Sequence, residues 1–240
     1  MRWAAIWSTA PTRTSRRHAR RRSFFPSLAE PTEPLRWQDG WTLVLASGSP
    51  QRSEILRSCG LKVDVRPTGA DELDQGEPHV VAAANARAKA QAGRAGLTAA
   101  ERERSVVLGA DTLVALDGKI YGKPADEQQA RDYLTELARA PHEVVGAITV
   151  IDPFGNAFEA VVTTMVEFRP LTPDEIAEQV ALGEWEGRAG GYAIQLSGDR
   201  MVADIGEDRL NVVGLSLTAL NGLVQGLLPA GSDGFERYTS

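Results

Sequence analysis

From Trp41 to about residue 228, short runs of β-forming residues alternate with segments of helical periodicity. This alternation constrains the fold more than any other feature, because it is typical of helices packed on a sheet and not of helical bundles or β-sandwiches. The predicted strands are 42–46, 62–66, 106–115, 119–122, 144–151, 157–168 and 201–205. The predicted helices are 50–58, 78–92, 126–138, 173–182 and 215–228.

Turn residues predict that the sheet is mixed. Asp117-Gly118 and the cluster at 152–156 each join two consecutive strands by a short loop, which favours antiparallel hairpins. Ser49 and Thr172 stand where helix N-caps are expected, each directly before a proline. No linker interrupts the pattern, so we predict one mixed-sheet α/β domain over residues 41–230.

The first 40 residues differ from this domain in charge. They hold eight arginines and three acidic residues and so carry +5, whereas the whole chain carries −6, which leaves −11 on the remaining 200 residues. Without apolar periodicity, residues 1–40 are predicted to be a disordered Arg-rich extension, and 231–240 a disordered tail. A nucleic-acid-binding arm and a transit peptide are alternatives for 1–40, whereas a twin-arginine export signal needs an apolar stretch that does not follow Arg21-Arg22.

Composition excludes several classes of protein. A chain that is 42% hydrophobic and 24% charged is neither fibrous nor wholly disordered, and it has no apolar run of the length that a membrane-spanning helix needs. Its one cysteine, Cys59, cannot form an internal disulfide, which favours a reducing, cytoplasmic location. The acidic domain has no basic stripe, which argues against nucleic acid as a partner.

Several catalytic motifs are absent from the sequence. The chain has no Walker A loop, no strand-linked G-x-G-x-x-G, no H-E-x-x-H and no G-x-S-x-G, and it has three histidines. Carboxylates, lysines and arginines remain. These residue types suit the binding of phosphates and a divalent metal.

The first polar cluster is A-S-G-S-P-Q-R at 46–52, where a predicted strand runs into a helix. Backbone N–H groups, the hydroxyls of Ser47 and Ser49 and the side chain of Arg52 converge at the helix start, which favours binding of an anion. The alternative is an ordinary N-cap at Ser49 with a solvated Arg52.

A second cluster contains acidic residues. Asp111, in G-A-D-T at 109–112, is expected at the end of the strongest strand, where ligands collect in open α/β sheets. Glu72 could supply a second carboxylate for a divalent cation, and Lys89 and Lys123 could reach a polyphosphate. Alternatively, Asp111 is a turn residue and the lysines are solvated.

The third cluster is R-A-G-G-Y-A-I-Q at 188–195. Its glycines allow close approach to a flat ligand, and the amide of Gln195 can both donate to and accept from a base edge. The alternative is a flexible loop whose Tyr192 packs in the core.

Five motifs in this order resemble the Maf family of nucleoside triphosphate pyrophosphatases, first named for inhibition of septum formation. They are L-A-S-G-S-P-Q-R, G-A-D-T, Y-G-K-P, A-G-G-Y-A-I-Q and N-V-V-G-L, and the resemblance spans about 43–217. It implies a mixed-sheet, two-lobed α/β fold like that of inosine triphosphate pyrophosphatases, with a central groove and often a homodimer.

The resemblance also implies a reaction. A nucleoside triphosphate would be hydrolysed to the monophosphate and pyrophosphate with a divalent cation, Mg2+ or Mn2+. By motif, Asp111 corresponds to the catalytic base, and we expect Glu72 and Asp111 to hold the metal. The remaining residues that would bind the substrate are Ser47, Ser49, Arg52, Lys89 and Lys123.

Thr112 and Gln195 match specificity positions of the branch that acts on dTTP and UTP; the branch that acts on 7-methyl-GTP differs at both. Gln51 departs from the pattern, because the dTTP/UTP branch usually has arginine at this third specificity position. Residues 196–201 and Ser216 also depart from the family pattern. The alternative function is a non-catalytic nucleotide-binding regulator of cell division, against which a carboxylate pair beside the polyphosphate argues.

Overall fold

The computed structural model describes Trp37 and residues 40–228. Apart from Trp37 and Gly40, the predicted N-terminal extension lies outside the described residues, as does the predicted tail at 231–240, so both stay predictions. Trp37 is buried and packs in the main hydrophobic core. The packed part of the chain therefore includes this residue, on the N-terminal side of the predicted boundary at residue 41.

Within the described residues, seven strands form one sheet. They are β1 (Thr42–Leu45), β2 (Val63–Val65), β3 (Ser105–Leu116), β4 (Lys119–Tyr121), β5 (His142–Ile151), β6 (Ala157–Phe168) and β7 (Val202–Ile205). The order is β2-β1-β3-β5-β6-β7, and β4 pairs with β3. Strand β1 is parallel to both of its neighbours, whereas the other pairs are antiparallel. The predicted mixed sheet is confirmed.

Helices cover both faces of this sheet. They are α1 (Pro50–Ser58), α2 (Pro78–Ala95), α3 (Ala99–Arg102), α4 (Glu127–Leu137), α5 (Pro173–Ala181), α6 (Arg209–Val213) and α7 (Leu217–Val224). Helix α2 packs on β3 and β5 on one face, while side chains of α1, α4, α5 and α7 join the main core cluster. None of the helices described has the length and apolar character required to traverse a lipid bilayer.

Local signals in the sequence correctly marked several boundaries. Ser49 and Thr172 are the N-caps of α1 and α5, and Thr172 forms a capping box with Glu175. Asp117 and Gly118 both have positive φ, at 51° and 78°, as expected for the tight turn between β3 and β4. The hairpin between β5 and β6 is also confirmed.

Helix ends near the C-terminus differ from the prediction. The predicted helix at 215–228 begins later, at Leu217, because the side chain of Ser216 accepts a hydrogen bond from the N–H of Ala219 and caps it. Helix α6 lies just before α7 and is capped at its C-terminal end by Gly214, where φ is 138°. Helices α3 and α6 were not predicted, because four or five residues are too short to show helical periodicity.

Close packing of α2 against β3 depends on Gly109. A Cβ at this position would lie 2.5 Å from the backbone nitrogen of Ala90 and closer still to the carbonyl oxygen of Ala86. Both contacts are with helix backbone, which cannot turn aside as a flexible side chain can. The absence of a side chain at Gly109 therefore lets α2 approach the part of β3 that carries Asp111.

Candidate active site

A cavity of about 610 Å³ opens beside the carboxyl end of β1. It lies between the β1–α1 turn, the middle of β3, the segment after β4 and the loops before and after the 3₁₀ turn at Ala189–Gly191. All ten residues predicted to form the site line this cavity, namely Ser47, Ser49, Gln51, Arg52, Glu72, Lys89, Asp111, Thr112, Lys123 and Gln195. The predicted site residues, which are spread over almost 150 residues of the chain, thus meet at one place.

The sequence placed Asp111 at the end of its strand, but it lies in the middle of β3. Pairing explains the difference: Leu45, the last residue of β1, lies opposite Leu108, and on that side β3 has no further strand partner until Val114, where its pairing with β4 begins. On its other side β3 remains paired with β5, where Asp111 lies opposite Ala147. Asp111 therefore borders the space beyond the carboxyl end of β1, and the alternative that it is a turn residue is wrong.

Two carboxylates share one lysine on the first side of the cavity. Nζ of Lys89 lies 2.6 Å from Oδ1 of Asp111 and 2.9 Å from Oε1 of Glu72. Asp111 and Lys89 are buried, whereas Glu72 is exposed. The amide nitrogen of Asn85 donates a hydrogen bond of 3.0 Å to Oδ2 of Asp111. We call Glu72, Asn85, Lys89 and Asp111 the acidic wall.

Arg52 dominates the second side of the cavity, where neutral oxygens accept its hydrogen bonds. Its guanidinium donates to Oγ of Ser47 at 2.9 Å, to Oγ1 of Thr112 at 3.1 Å and to the carbonyl oxygen of Gly214 at 2.9 Å. Burial lowers the pKa of Arg52, and the charges of Asp111 and Glu72 partly offset this effect. We call Ser47, Arg52, Thr112 and Gly214 the cationic wall.

Hydroxyl groups at the start of α1 are already hydrogen-bonded. Oγ of Ser49 accepts from the N–H of Arg52 and donates to Oε1 of Gln51 at 3.1 Å, while Oγ of Ser47 accepts from the N–H of Ser49. The predicted N-cap at Ser49 is therefore confirmed, but Arg52 is buried rather than solvated. The role of this turn in binding an anion stays a prediction.

The remaining side of the cavity is formed by two loops that are joined by a backbone hydrogen bond. The N–H of Gly190 donates to the carbonyl of Gly122 at 3.1 Å, so the segment with Lys123 and the loop with Gln195 are held together. Lys123 is exposed and Gln195 is partly exposed, and both line the cavity. Their side chains are thus accessible from the cavity.

Tyr192 anchors the glycine-rich loop in the core. Its hydroxyl lies 2.9 Å from Nε2 of His142, and both rings pack edge-on against Phe168. Burial raises the pKa of Tyr192 and lowers the pKa of His142 to about 4, because neither charged form is stable away from water. The loop therefore contains both features that the sequence suggested, a buried aromatic anchor and a cavity-lining amide.

The acidic wall could hold a divalent cation only together with other ligands. Among the described residues, no group of three or more His, Cys, Asp or Glu side chains is arranged to hold a metal. Magnesium is usually bound by one or two carboxylates with water and substrate phosphates. Glu72 and Asp111 converge on Nζ of Lys89, so this pair fits a cation that is shared with a substrate.

Two contributors to the site were not predicted from the sequence. Asn85 lies one turn before Lys89 on α2, and its contact with Asp111 follows from how α2 crosses β3. The carbonyl of Gly214, which accepts from Arg52, lies in the N-V-V-G-L motif, but a backbone acceptor leaves no signal in the identity of a residue.

A model of the Maf-like protein family matches residues 42–227. The chain belongs to the Maf family. A protein from Paramagnetospirillum magneticum named dTTP/UTP pyrophosphatase is 42% identical over 189 residues, which cover 77% of this chain and 96% of that protein. A protein of the same name from Moorella thermoacetica is 42% identical over 185 residues, which cover 76% and 93%.

A crystal structure of a nucleoside-triphosphatase, described as a dITP/XTP pyrophosphatase, from Mycobacterium abscessus is a more distant match. It is 18% identical with a TM-score of 0.37 and covers 53% of this chain and 74% of that chain. The assignment to the Maf family therefore rests on the family model and the sequence relatives, which span the whole cavity.

Proposed function

We propose that this Maf family member is a nucleoside triphosphate pyrophosphatase that hydrolyses dTTP and UTP, or related and modified nucleotides, to the monophosphate and pyrophosphate. Its relatives of 35–42% identity carry the name dTTP/UTP pyrophosphatase. The observation that supports this function best is the pairing of a buried arginine held by neutral oxygens with a carboxylate pair across one cavity.

Substrate binding uses the cationic side of this cavity. Arg52 keeps its positive charge among neutral acceptors, so it is free to attract the phosphates. Ser47, Ser49 and the exposed Lys123 supply further donors. Lys89 lies at the boundary between the phosphates and the carboxylates and reduces the repulsion between them.

The chemical step is attack of water on the α-phosphorus. Asp111 orients the water and accepts its proton at a carboxylate oxygen as the new P–O bond forms. The bond between the α-phosphorus and the bridging oxygen breaks, and pyrophosphate leaves with that oxygen. Arg52, Lys89 and Lys123 stabilise the negative charge that develops on the leaving group.

Mg2+ or Mn2+ would be held by Glu72 and Asp111 together with phosphate oxygens of the substrate. When bound, it would neutralise charge on the phosphates and polarise the phosphorus–oxygen bonds. In the part of the chain that the structure describes, no third His, Cys, Asp or Glu side chain completes a metal-binding group with these two carboxylates, which suits this shared arrangement.

Nucleotide selectivity is assigned to Gln51, Thr112 and Gln195. Oγ1 of Thr112 donates to the carbonyl oxygen of Gly214 at 3.3 Å and accepts from Arg52, so its orientation is fixed within the cationic wall. Thr112 also lines the cavity, where it can contact a nucleotide. The partly exposed amide of Gln195 can pair with a pyrimidine edge.

A screen for pyrophosphate release tests this function. The purified chain is incubated with Mg2+ or Mn2+ and with each of dTTP, UTP, 7-methyl-GTP and other canonical and modified nucleoside triphosphates. We expect release of pyrophosphate, strongest with dTTP or UTP and abolished by a chelator. Nucleotide binding without release for any substrate would instead support the non-catalytic regulator.

We also propose that the chain is a cytoplasmic homodimer that does not bind nucleic acid. One edge of β6 supports the dimer: among the described residues, β6 pairs with β7 only from Val166 to Phe168, and apart from a bond between the N–H of Gly206 and the carbonyl of Met165 the edge at 157–165 has no strand partner. Val161 and Met165 in this stretch are exposed. Light scattering after gel filtration should give twice the monomer mass, and a monomer would contradict the proposal.

A further inference from the structure

Asn85 is a buried amide at the centre of the acidic wall, with 2% of its surface exposed. It lies on α2, one turn before Lys89. Its Oδ1 accepts the N–H of Leu73 at 2.8 Å, and its Nδ2 donates to the carbonyl oxygen of Leu73 at 2.9 Å and to Oδ2 of Asp111 at 3.0 Å. One side chain thus joins three elements: α2, β3 and the segment that carries Glu72.

These partners determine which way the amide points. The N–H of Leu73 requires an acceptor, whereas the carbonyl of Leu73 and the carboxylate of Asp111 require donors. Rotating the amide by 180° would direct its oxygen toward two other oxygens and its nitrogen toward the N–H of Leu73, at a cost of all three hydrogen bonds. Both hydrogens of Nδ2 are therefore engaged, one with Leu73 and one with Asp111.

The two oxygens of Asp111 have partners of different kinds. Oδ1 contacts Lys89, which is charged and will also be attracted to the phosphates of a nucleotide. Oδ2 contacts Asn85, which is neutral and has no comparable attraction to phosphate. When a nucleotide enters, the contact with Asn85 is the one that can persist unchanged.

We propose that Asn85 is a positioning residue for the pyrophosphatase reaction. It fixes the orientation of the Asp111 carboxylate and holds the segment with Glu72 at a set distance from it, while Lys89 is free to shift toward the substrate. This inference rests on the proposed function, because it assigns Asn85 a role in that same site. Asn85 itself does not contact the reacting atoms.

The test compares Asn85→Leu with Val81→Ala. The leucine side chain branches at Cγ as asparagine does, but it is larger and makes no hydrogen bonds. Val81 lies one turn earlier on α2 and packs against the sheet outside the cavity, so its truncation loosens the helix without touching the amide. Asn85→Ser, with a smaller side chain and one donor, replaces Asn85→Leu if the latter does not fold.

We expect Asn85→Leu to lower kcat about 10–100-fold, the usual cost of losing a residue that orients a catalytic group, and to change KM by less than about threefold. Val81→Ala should lower the thermal midpoint and keep kcat within about twofold. Independently of activity, hydrogen exchange at the amide of Leu73 should become about tenfold faster in Asn85→Leu and stay unchanged in Val81→Ala.

Three outcomes would overturn the inference. The first is a wild-type kcat in Asn85→Leu. The second is a loss of kcat that merely follows the loss of thermal stability, as judged against Val81→Ala. The third is an unchanged rate of hydrogen exchange at the amide of Leu73 in Asn85→Leu, which would show that Asn85 does not tether the segment with Glu72. If the wild-type chain releases no pyrophosphate from any nucleotide, the proposed function itself fails, and this role of Asn85 fails with it.

Discussion

The two walls of the cavity hold their buried charges in opposite ways. On the cationic wall, Arg52 is surrounded by two hydroxyls and a backbone carbonyl, so its charge is hydrogen-bonded but not neutralised there. On the acidic wall, the buried charges of Asp111 and Lys89 cancel each other, and Lys89 also contacts the exposed Glu72. One wall keeps its charge for a ligand, and the other is already internally paired.

This difference has an energetic basis. Burying a carboxylate without a partner is costly, and the cost falls when a cation and further hydrogen bonds accompany it. A buried arginine can instead be stabilised by neutral acceptors, because five N–H donors spread its charge over several bonds. An incoming polyphosphate therefore meets an available cation on one side and must rearrange ion pairs on the other.

The largest expected effect comes from removing the negative charge of Asp111. Asp111→Asn should lower kcat by about a thousandfold, the middle of the range for loss of a general base, whereas Arg52 remains intact and nucleotide binding persists. The measurement is steady-state pyrophosphate release together with nucleotide affinity by calorimetry.

Asp152→Asn is the matched control for this substitution. Asp152 is also a buried aspartate, but its side chain accepts hydrogen bonds from Asn156 in the β5–β6 turn, away from the cavity. This variant should lose some stability and keep its kcat. If Asp111→Asn kept more than a third of the wild-type kcat, the acidic wall would not be the catalytic side.

A second prediction concerns the neutral surroundings of Arg52. A lysine at this position keeps the charge but cannot donate to Ser47, Thr112 and Gly214 at once, because its donors radiate from one nitrogen. Loss of two such hydrogen bonds corresponds to about 3 kcal/mol, so Arg52→Lys should lower kcat/KM about a hundredfold. Arg57→Lys, in an exposed position of the same helix, should be silent. Equal activity of the two variants would mean that charge alone matters at residue 52.

The order of elements could be predicted because each strand and helix carries its own local signal. The hairpin at Asp117-Gly118 and the caps at Ser49 and Thr172 depend on a few neighbouring residues, and all were predicted correctly. The boundaries of α7 were less accurate, because Leu215 and Leu228 continue the apolar pattern beyond its two ends, although Ser216 caps the helix at its start.

The members of the site could be predicted from their motifs, but their connections could not. That Lys89 bridges Asp111 and Glu72 depends on the crossing of α2 over β3, which in turn requires Gly109. The position of Asp111 within β3 follows from the earlier end of β1, a fact about strand pairing that no single motif contains. Three-dimensional register therefore supplied what sequence spacing lacked.

The third prediction extends the comparison to the glycine-rich loop, whose anchor is a buried neutral histidine. The pKa of His142 is lowered to about 4 in the folded chain, whereas a histidine in the unfolded chain has a pKa of 6.5. As pH falls from 7 to 5, the unfolded chain gains a proton that the folded chain does not, so the free energy of unfolding should fall by about 2 kcal/mol. This contribution is complete above pH 6.5, and the loss ends below about pH 4.

Urea unfolding of the wild type and His142→Gln at pH 7 and pH 5 measures this effect. Glutamine can still bond to Tyr192 but does not titrate, so the variant should lose about 2 kcal/mol less than the wild type between the two pH values. Carboxylates such as Glu101 and Glu175 titrate in both proteins and cancel in the difference. Equal losses would show that His142 takes up its proton in the folded chain.

The smallest expected effect comes from adding a second cation beside the cationic wall. Gln51 lines the cavity and accepts a hydrogen bond from Ser49, and it is the expected specificity position at which the sequence departs from the family pattern. Gln51→Arg should lower KM for dTTP and UTP up to about tenfold and leave kcat nearly unchanged, because an added contact with bound phosphates stabilises ground and transition states alike.

Gln128→Arg is the matched control, because it adds the same charge on the exposed face of α4. If KM decreases equally in both variants, the effect comes from net charge. Such a decrease should disappear in 0.5 M salt, because the screening length is then roughly 4 Å. A decrease confined to Gln51→Arg and smaller for 7-methyl-GTP would instead assign residue 51 to nucleotide selection, since only a local contact distinguishes one base from another.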